Sequence, residues 1–239
     1  MEITAAWEPQ LADGAHVERG TLIARLQGSA RGLLTAERTL LNLIGRMSGV
    51  ATLTAEYAAA IAGTNARVYD TRKTTPGWRR LEKYAVRCGG ASNHRLGLYD
   101  AVLIKDNHLA QSAEAGQSPG EVAPHAVRRC RQFLAELATT EAARAELILE
   151  VEVDSIEQLA AVLPERPDIV LLDNMSIEQL RECVSLRDAT APDIELEASG
   201  GVTLATIAAI AAAGVDRISV GALTHGASSL DVGLDWENR

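Results

Sequence analysis

"LILEVEVDSIEQL" (147–159) and "DIVLLDNMSIEQL" (168–180) decide the fold. Each is a Val-, Ile- and Leu-rich run that ends on acids and is followed by the same five residues, Ser-Ile-Glu-Gln-Leu. The apolar run reads as a buried strand, and the repeated pentapeptide opens a helical pattern. The echo therefore marks one strand–loop–helix unit, used twice in succession.

Working outward, the same alternation extends from residue 65 to the end. Strands are expected at Arg67–Tyr69, Ala101–Lys105, Leu147–Val153, Ile169–Leu172, Ile194–Glu197 and Arg217–Val220, with helices at roughly 78–88, 123–138, 155–163, 176–187 and 203–213. Strands alternating with helices imply a parallel sheet covered by helices. No glycine-rich dinucleotide fingerprint follows the first strand, which removes the best signal for an open nucleotide-binding sheet. Short, regular units favour a barrel, yet the stretch is brief against the roughly 250 residues of a full one. The expected fold is α/β: an incomplete or modified (β/α) barrel over 64–239, preceded by a small N-terminal α/β domain over 1–63. Within that domain, 11–28 read as short strands punctuated by Gly14, Gly20 and Gly28, and Ala30–Ala62 as helix, divided at Ser48-Gly49. The small-residue segment 110–124 reads as a surface loop.

Composition narrows the partners. The formal charge of −9 lacks the basic footprint of a nucleic-acid binder, and three Trp, four Tyr and one Phe leave few platforms for stacked bases. The three cysteines form no CxxC pair, and neither a secretory signal nor a bilayer-length apolar run is visible. A soluble, cytoplasmic protein is expected, with any cationic site local.

Chemistry gathers at the strand ends: Asp70-Thr71-Arg72-Lys73, Lys105-Asp106-Asn107-His108, Glu150/Glu152/Asp154, Asp173-Asn174, Glu197 with Ser199-Gly200-Gly201, and Gly221 with His225. In a barrel those ends converge on one face, where active sites are built. Period-two geometry puts Glu150, Glu152 and Asp154 on one side of their strand, pointing inward or to the mouth. They either neutralise nearby Lys and Arg or, with Asp173, hold a hydrated divalent cation or ribose hydroxyls. "EASGGVT" (197–203) and "SVGALTHG" (219–226) are turns in which glycines and a helix start suit phosphate. Arg72, Lys73, Arg95 and Lys105, joined by Arg38, would repel one another unless an anion compensates them. His94 and His108 are open to ligand, acid/base or packing roles, and "NHR" and "DNH" lack zinc-ligand spacing.

These motifs resemble a known family. "DTRKTTPGWRRLEKYAVRCGGASNHRLGLYDAVLIKDNHL" (70–109) resembles the signature region of the quinolinate phosphoribosyltransferases, which have the type II phosphoribosyltransferase fold. "LTAERTLLNLIGRMSGVAT" (34–52), "EVEVD", "LLDN", "EASGG", "VGALTH" and the closing "LDVGLD" follow in the same order. The resemblance implies conversion of quinolinate and phosphoribosyl pyrophosphate to nicotinate mononucleotide, pyrophosphate and carbon dioxide, with Mg²⁺. It further implies that Arg38, Thr71, Arg72, Lys73, His94, Arg95 and Lys105 form the quinolinate pocket. Arg38 would reach the site of a partner subunit, in a homodimer with shared sites or a higher oligomer of dimers. Glu152 and Asp173 would address ribose and metal, and Ser199, Gly200, Gly201, Val220, Gly221 and Ala222 would cradle phosphate beside His225. Lys105, Glu152 and Asp173 are the implied catalytic set. Family members usually carry a further N-terminal segment, so the first domain reads as shortened at its start. Two other readings stand beside this one: a paralogous pyrophosphorylase of the molybdenum-transport-associated type, and a truncated, non-catalytic subunit that binds phosphoribosyl ligands. A lipoyl-type carrier, suggested by "DGAHVERGTLIARL", would need a lysine that residues 1–66 lack.

Overall fold

The computed structural model describes residues 5–112, 119–140 and 147–237. Near the N-terminus β1 (Ala5–Pro9) pairs antiparallel with β2 (Ala24–Gly28), with Trp7 opposite Leu26. Only the end of the expected 11–28 strand region is strand. Gly14 and Gly20 take positive φ values of 82° and 84° and turn the chain between the two strands.

The helix α1 (Ala30–Ala60) starts where the Ser29 side chain accepts the Gly32 N–H. It is one continuous helix, contrary to the expected division at Ser48-Gly49. Gly45 and Gly49 do not break it because they serve packing: a Cβ at either would collide with the backbone carbonyl of Leu230 or Ser228. The C-terminal segment thus lies against α1, and the Leu230 N–H donates to the Gly45 carbonyl at 2.9 Å. The moderate cost of two helical glycines is offset by that close approach.

Six parallel strands follow: β3 (Arg67–Tyr69), β4 (Val102–Ile104), β5 (Leu149–Val153), β6 (Ile169–Asp173), β7 (Glu195–Ser199) and β8 (Arg217–Ser219). Their order is β3-β8-β7-β6-β5-β4, leaving β3 and β4 as edges of an incomplete barrel. A single bridge from Tyr69 to Ser92 lines the gap beside β3. Crossing helices are α2 (Arg79–Cys88), α3 (Asp106–Ser112), α4 (Pro119–Thr140), α5 (Ile156–Val162), α6 (Ile177–Thr190) and α7 (Ile207–Ala212), with a last turn α8 (Ala222–His225). The expected 110–124 loop is helical up to Ser112 and again from Pro119. Its centre, 113–118, lies outside the described residues.

Strand parity sorts the side chains. Val68, Ile104, Leu149, Val151, Val153, Val170, Leu172, Leu196, Ala198 and Ile218 belong to the buried apolar cluster that includes residues of the covering helices. The opposite parity carries Tyr69, Glu150, Glu152, Asp173, Glu197, Ser199, Arg217 and Ser219. Barrels of this type normally fill that inner face with branched aliphatic residues. Here it is substantially polar, and Glu150, Glu197 and Arg217 are buried. Unpaired, such groups would cost several kcal/mol each, so their partners must be found.

Candidate active site

The β3 end divides into an inward acid and outward cations. Asp70 is fully buried and accepts hydrogen bonds from the Lys83 ammonium, from Asn93 Nδ2 at 2.7 Å and from the His94 peptide N–H at 2.8 Å. Lys83 also donates to the His94 carbonyl at 2.7 Å. Burial pushes the Asp70 carboxyl up and the Lys83 ammonium down, each countered by the other's charge. Beneath the same loop, buried Glu82 accepts from Thr75 Oγ1 at 2.8 Å, Thr75 N at 3.0 Å and Arg46 Nη2 at 2.8 Å. Arg46 belongs to α1 and also donates to the Ala227 carbonyl at 2.6 Å. Helix α1, the 70–77 loop and the C-terminal segment therefore share one buried ion pair.

Above this base, Thr71 Oγ1 accepts the Lys73 N–H at 3.0 Å, and Thr224 Oγ1 donates to the Lys73 carbonyl at 2.7 Å. Arg72 and Lys73 are exposed, and among the described residues neither has an ion-pair partner. Arg95 is pushed below the usual arginine range by burial and then by the charge of nearby Arg72. Its Nη1 donates to the Ala101 carbonyl, just before β4, at 3.1 Å. Lys105, at the end of β4, pairs with Glu152 on the neighbouring β5. His108 is exposed beside it and accepts the Lys105 N–H at Nδ1, 3.0 Å away.

The remaining strand ends continue the rim. Asp173 stands opposite Ser199 in the β6–β7 register, and Asn174 Nδ2 donates to its carboxylate at 2.8 Å. Asn174 adopts φ 55°, and its N–H donates to the Ser199 carbonyl at 2.9 Å. Its side chain occupies the space that a Cβ on Gly200 (φ 95°) would need, so this position requires glycine twice over. After β8, Val220 N donates to the Tyr69 carbonyl at 2.8 Å, which joins the two strand ends. A Cβ on Gly221 would stand 3.3 Å from Lys73 Cδ and 3.2 Å from His225 Nε2, placing those side chains together. Ala222 and His225 begin and end α8. Arg38 is exposed on α1, and among the described residues no hydrogen bond or ion pair ties it to the rim.

Of the three alternating acids, only Glu152 faces the mouth as a partner for a rim cation. Asp154 is exposed, whereas Glu150 points into the barrel. His94 Nε2 lies 3.1 Å from Glu150 and 3.4 Å from Glu197, while Arg217 Nε donates to Glu197 at 2.7 Å and its guanidinium stacks on Tyr69 at 3.8 Å. Burial opposes charge on His94, but the hydrogen bonds to the two acids push its pKa up to about 9. Burial also raises Glu150, so the His94–Glu150 pair retains one proton as a unit. The Arg95 N–H points at His94 Nδ1 from 2.8 Å. A cavity of about 620 Å³ lies against this group, lined by Tyr69, Lys83, Asn93, His94, Arg95, Glu150 and Arg217 among others. Arg72, Lys73, Lys105 and Asp173 do not line it. The interior network was invisible to motif reading because its members lie on β3, α2, the 92–95 segment, β5, β7 and β8. Its one sequence signal is the parity of charged residues within apolar strands.

An incomplete parallel barrel with cations, acids and glycine turns at its strand ends defines a protein of the type II phosphoribosyltransferase fold class. Residues 50–235 match the family description "Quinolinate phosphoribosyl transferase, C-terminal domain", and residues 3–48 match its N-terminal domain. The chain belongs to the quinolinate phosphoribosyl transferase family. It is 50% identical to the nicotinate-nucleotide pyrophosphorylase [carboxylating] of Mycobacterium leprae over 226 residues, covering 95% of this chain and 73% of that relative. A probable enzyme of the same name from Bacillus subtilis is 41% identical, with 93% and 70% covered. The solved nicotinate-nucleotide pyrophosphorylase of Francisella tularensis superposes with a TM-score of 0.81 at 37% identity, covering 95% of this chain and 73% of that one. The enzyme of the same name from Ehrlichia chaffeensis gives 0.83 at 34%, with 97% and 77% covered.

Proposed function

We propose that the chain transfers the phosphoribosyl group of phosphoribosyl pyrophosphate to quinolinate with loss of carbon dioxide, yielding nicotinate mononucleotide and pyrophosphate. The observation that carries this reading is the set of cations Arg72, Lys73 and Lys105 at the strand-end rim, Arg72 and Lys73 having no ion-pair partner among the described residues. A pyridine dicarboxylate supplies the two negative charges that such a group lacks, and Arg grips a carboxylate in two-point fashion. Thr71 supports the clamp through its bond to the Lys73 N–H.

The chemistry asked of the protein is orientation and charge compensation. The pyridine nitrogen attacks the anomeric carbon while the C–O bond to pyrophosphate breaks, through a state with positive charge on the ribose. Glu152 and Asp173, on adjacent strands, face that charge, and Lys105 is released from Glu152 toward the substrate carboxylate. The pyridinium so formed accepts the electron pair left when the neighbouring carboxylate departs as carbon dioxide, and a proton from solvent completes the ring. Ser199, Gly200 and Gly201, with Val220, Gly221 and Ala222, offer backbone N–H groups to the 5′-phosphate beside His225.

The donor set also fits Mg²⁺. Glu152 and Asp173 provide hard carboxylate oxygens on neighbouring strands, and magnesium ordinarily takes one or two such ligands plus substrate oxygens. When bound, the ion neutralises charge on the departing pyrophosphate. Arg38, exposed and without a hydrogen bond or ion pair among the described residues, is the residue offered to the site of a second copy in a homodimer. Among the described residues no helix is long and apolar enough to cross a membrane, in keeping with a cytoplasmic enzyme.

The test is direct. Purified protein incubated with quinolinate, phosphoribosyl pyrophosphate and Mg²⁺ is expected to form nicotinate mononucleotide, with one carbon dioxide per product. Turnover of another aromatic acid but not quinolinate would instead identify a paralogue. Binding of phosphoribosyl pyrophosphate without turnover of either would identify a non-catalytic subunit.

A further inference from the structure

We propose that Arg46 is a positioning residue for both anion subsites, fixing the quinolinate clamp at 70–77 against the phosphate turn at 220–226. The inference deepens the function proposed above and rests on it for the identity of the two anions. Its ground is a closed ring of bonds around the ends of β3 and β8. On one side, the Lys73 carbonyl accepts from Thr224 Oγ1 at 2.7 Å. On the other, Thr75 donates its N–H to Glu82 Oε2 at 3.0 Å and its hydroxyl to Glu82 Oε1 at 2.8 Å. Arg46 closes the circuit. Its Nη2 donates to Glu82 Oε1 at 2.8 Å and also to the Thr224 carbonyl, while Nη1 donates to the Ala227 carbonyl at 2.6 Å. Clamp and phosphate turn are therefore held to each other twice, once directly and once through α1.

The residue type suits the junction. A planar fork reaches a carboxylate and two carbonyls from one fixed group, which an ammonium on a flexible stem does not reproduce. The Thr224 carbonyl belongs to α8, whose open carbonyls take a cation well. The place of Arg46 along α1 is set independently, because the preceding Gly45 accepts the Leu230 N–H at 2.9 Å and lets that backbone approach. Glu82 is fully buried and the Arg46 side chain is 19% exposed, with its bonds directed at protein groups. The pair thus acts through the two loops.

Stability alone does not account for this placement. Exchanging a buried ion pair for apolar groups is often neutral or favourable. Here the pair lies where two ligand-binding loops meet, since a Cβ on Gly221 would stand 3.3 Å from Lys73 Cδ. A relative shift of these loops alters the separation of the pyridine acid from the ribose phosphate. Attack at the anomeric carbon depends on that separation.

Arg46→Lys separates positioning from bulk stabilisation, because it keeps a charge beside Glu82 but not the fork. The KM for quinolinate and the KM for phosphoribosyl pyrophosphate should both rise, each about 10-fold. Thr75→Val cuts the hydroxyl bond on the clamp side alone. It should raise the KM for quinolinate about 5-fold and leave that for phosphoribosyl pyrophosphate within a factor of about 2. A lower kcat with both KM values unchanged in Arg46→Lys would mark lost folded enzyme and overturn the proposal. So would a rise for one substrate only in that variant. If Arg46→Lys fails to fold, the double variant Arg46→Met/Glu82→Leu replaces the pair by apolar groups and should show the same joint rise. A second readout needs no turnover. The Thr75 amide should exchange with deuterium faster in Arg46→Lys than in the wild type, while the β5 amides stay as slow. Acceleration in both places, or in neither, would sink the idea. A wild type that does not turn over quinolinate, yet shows this local acceleration on Arg46→Lys, removes the functional reading alone.

Discussion

The barrel interior and the barrel mouth handle charge in opposite ways. Inside, Asp70, Lys83, Glu150, Glu197 and Arg217 sit in a polar network that includes His94, and nearly every donor and acceptor is matched within the protein. At the mouth, Arg72 and Lys73 are exposed and have no ion-pair partner among the described residues. The two regions are joined at one strand end, where Asp70 precedes Arg72 by two residues. Buried pairs rigidify, and unpaired cations attract; the molecule uses the first to aim the second. This is the arrangement expected of a preorganised anion site, where reorganisation has been completed during folding.

The comparison breaks first at Asp70. Its loss leaves the Lys83 ammonium buried and unpaired and frees the His94 N–H. Asp70→Ala should destabilise the fold by about 3–5 kcal/mol, the cost typical of a broken buried pair. Urea unfolding checks this; a change below about 1 kcal/mol would show that the interior is not the rigid partner. Arg72→Ala is the mirror experiment. Being exposed and unpaired, it should leave the unfolding midpoint unchanged while lowering kcat/KM for quinolinate at least 100-fold, about 3 kcal/mol of transition-state stabilisation. Loss of stability with intact turnover would reverse the roles of the two regions.

A third test uses pH. The folded pKa of His94 is about 9 against 6.5 for the free side chain, and Glu150 is raised with it. A group whose folded pKa is raised stabilises fully below its unfolded value and loses that contribution as pH climbs through the folded one. The groups facing the ring are Glu150 and Glu197, with Arg217 and Arg95 behind. Wild-type stability should therefore fall by about 2 kcal/mol between pH 6.5 and 10 beyond the general alkaline trend, and His94→Gln should remove that extra slope. An identical slope in the variant would remove the pair from the interior ledger.

Much of this was readable from residues alone, for a physical reason. Strand ends are legible because apolar runs stop where polar chemistry begins, so Arg72, Lys105, Glu152, Asp173 and the Ser199–Gly201 turn announced the mouth. The interior was not legible in the same way. Glu150 and Glu197 advertise only their parity, and their partners His94 and Arg217 lie on other elements. The supposed helix break at Ser48-Gly49 failed for a related reason: glycine there answers to the carbonyls of 228–230, a contact remote in sequence. Local chemistry can be read locally, whereas a glycine's tertiary use cannot.

The smallest effect supplies the control, and it comes from the two pentapeptides that revealed the fold. In both, a serine caps the following helix: Ser155 accepts the Gln158 N–H at 3.4 Å and Ser176 the Gln179 N–H at 3.3 Å. Only the second closes a reciprocal box, because Gln179 Oε1 accepts the Ser176 N–H at 2.9 Å while Gln158 Oε1 turns to the Asp154 N–H at 3.1 Å. The difference begins one residue earlier, where the chain leaves β5 through Asp154 and β6 through Asn174 and Met175. Ser176→Ala should cost about 1 kcal/mol and Ser155→Ala slightly less. Neither touches the interior network or the rim, so kcat/KM for quinolinate should stay within a factor of about 2 of wild type for both. If a cap loss of this size instead reduced turnover as Arg72→Ala does, activity would be tracking stability everywhere. The distinction between a rigid interior and an open, anion-seeking mouth would then have no kinetic meaning.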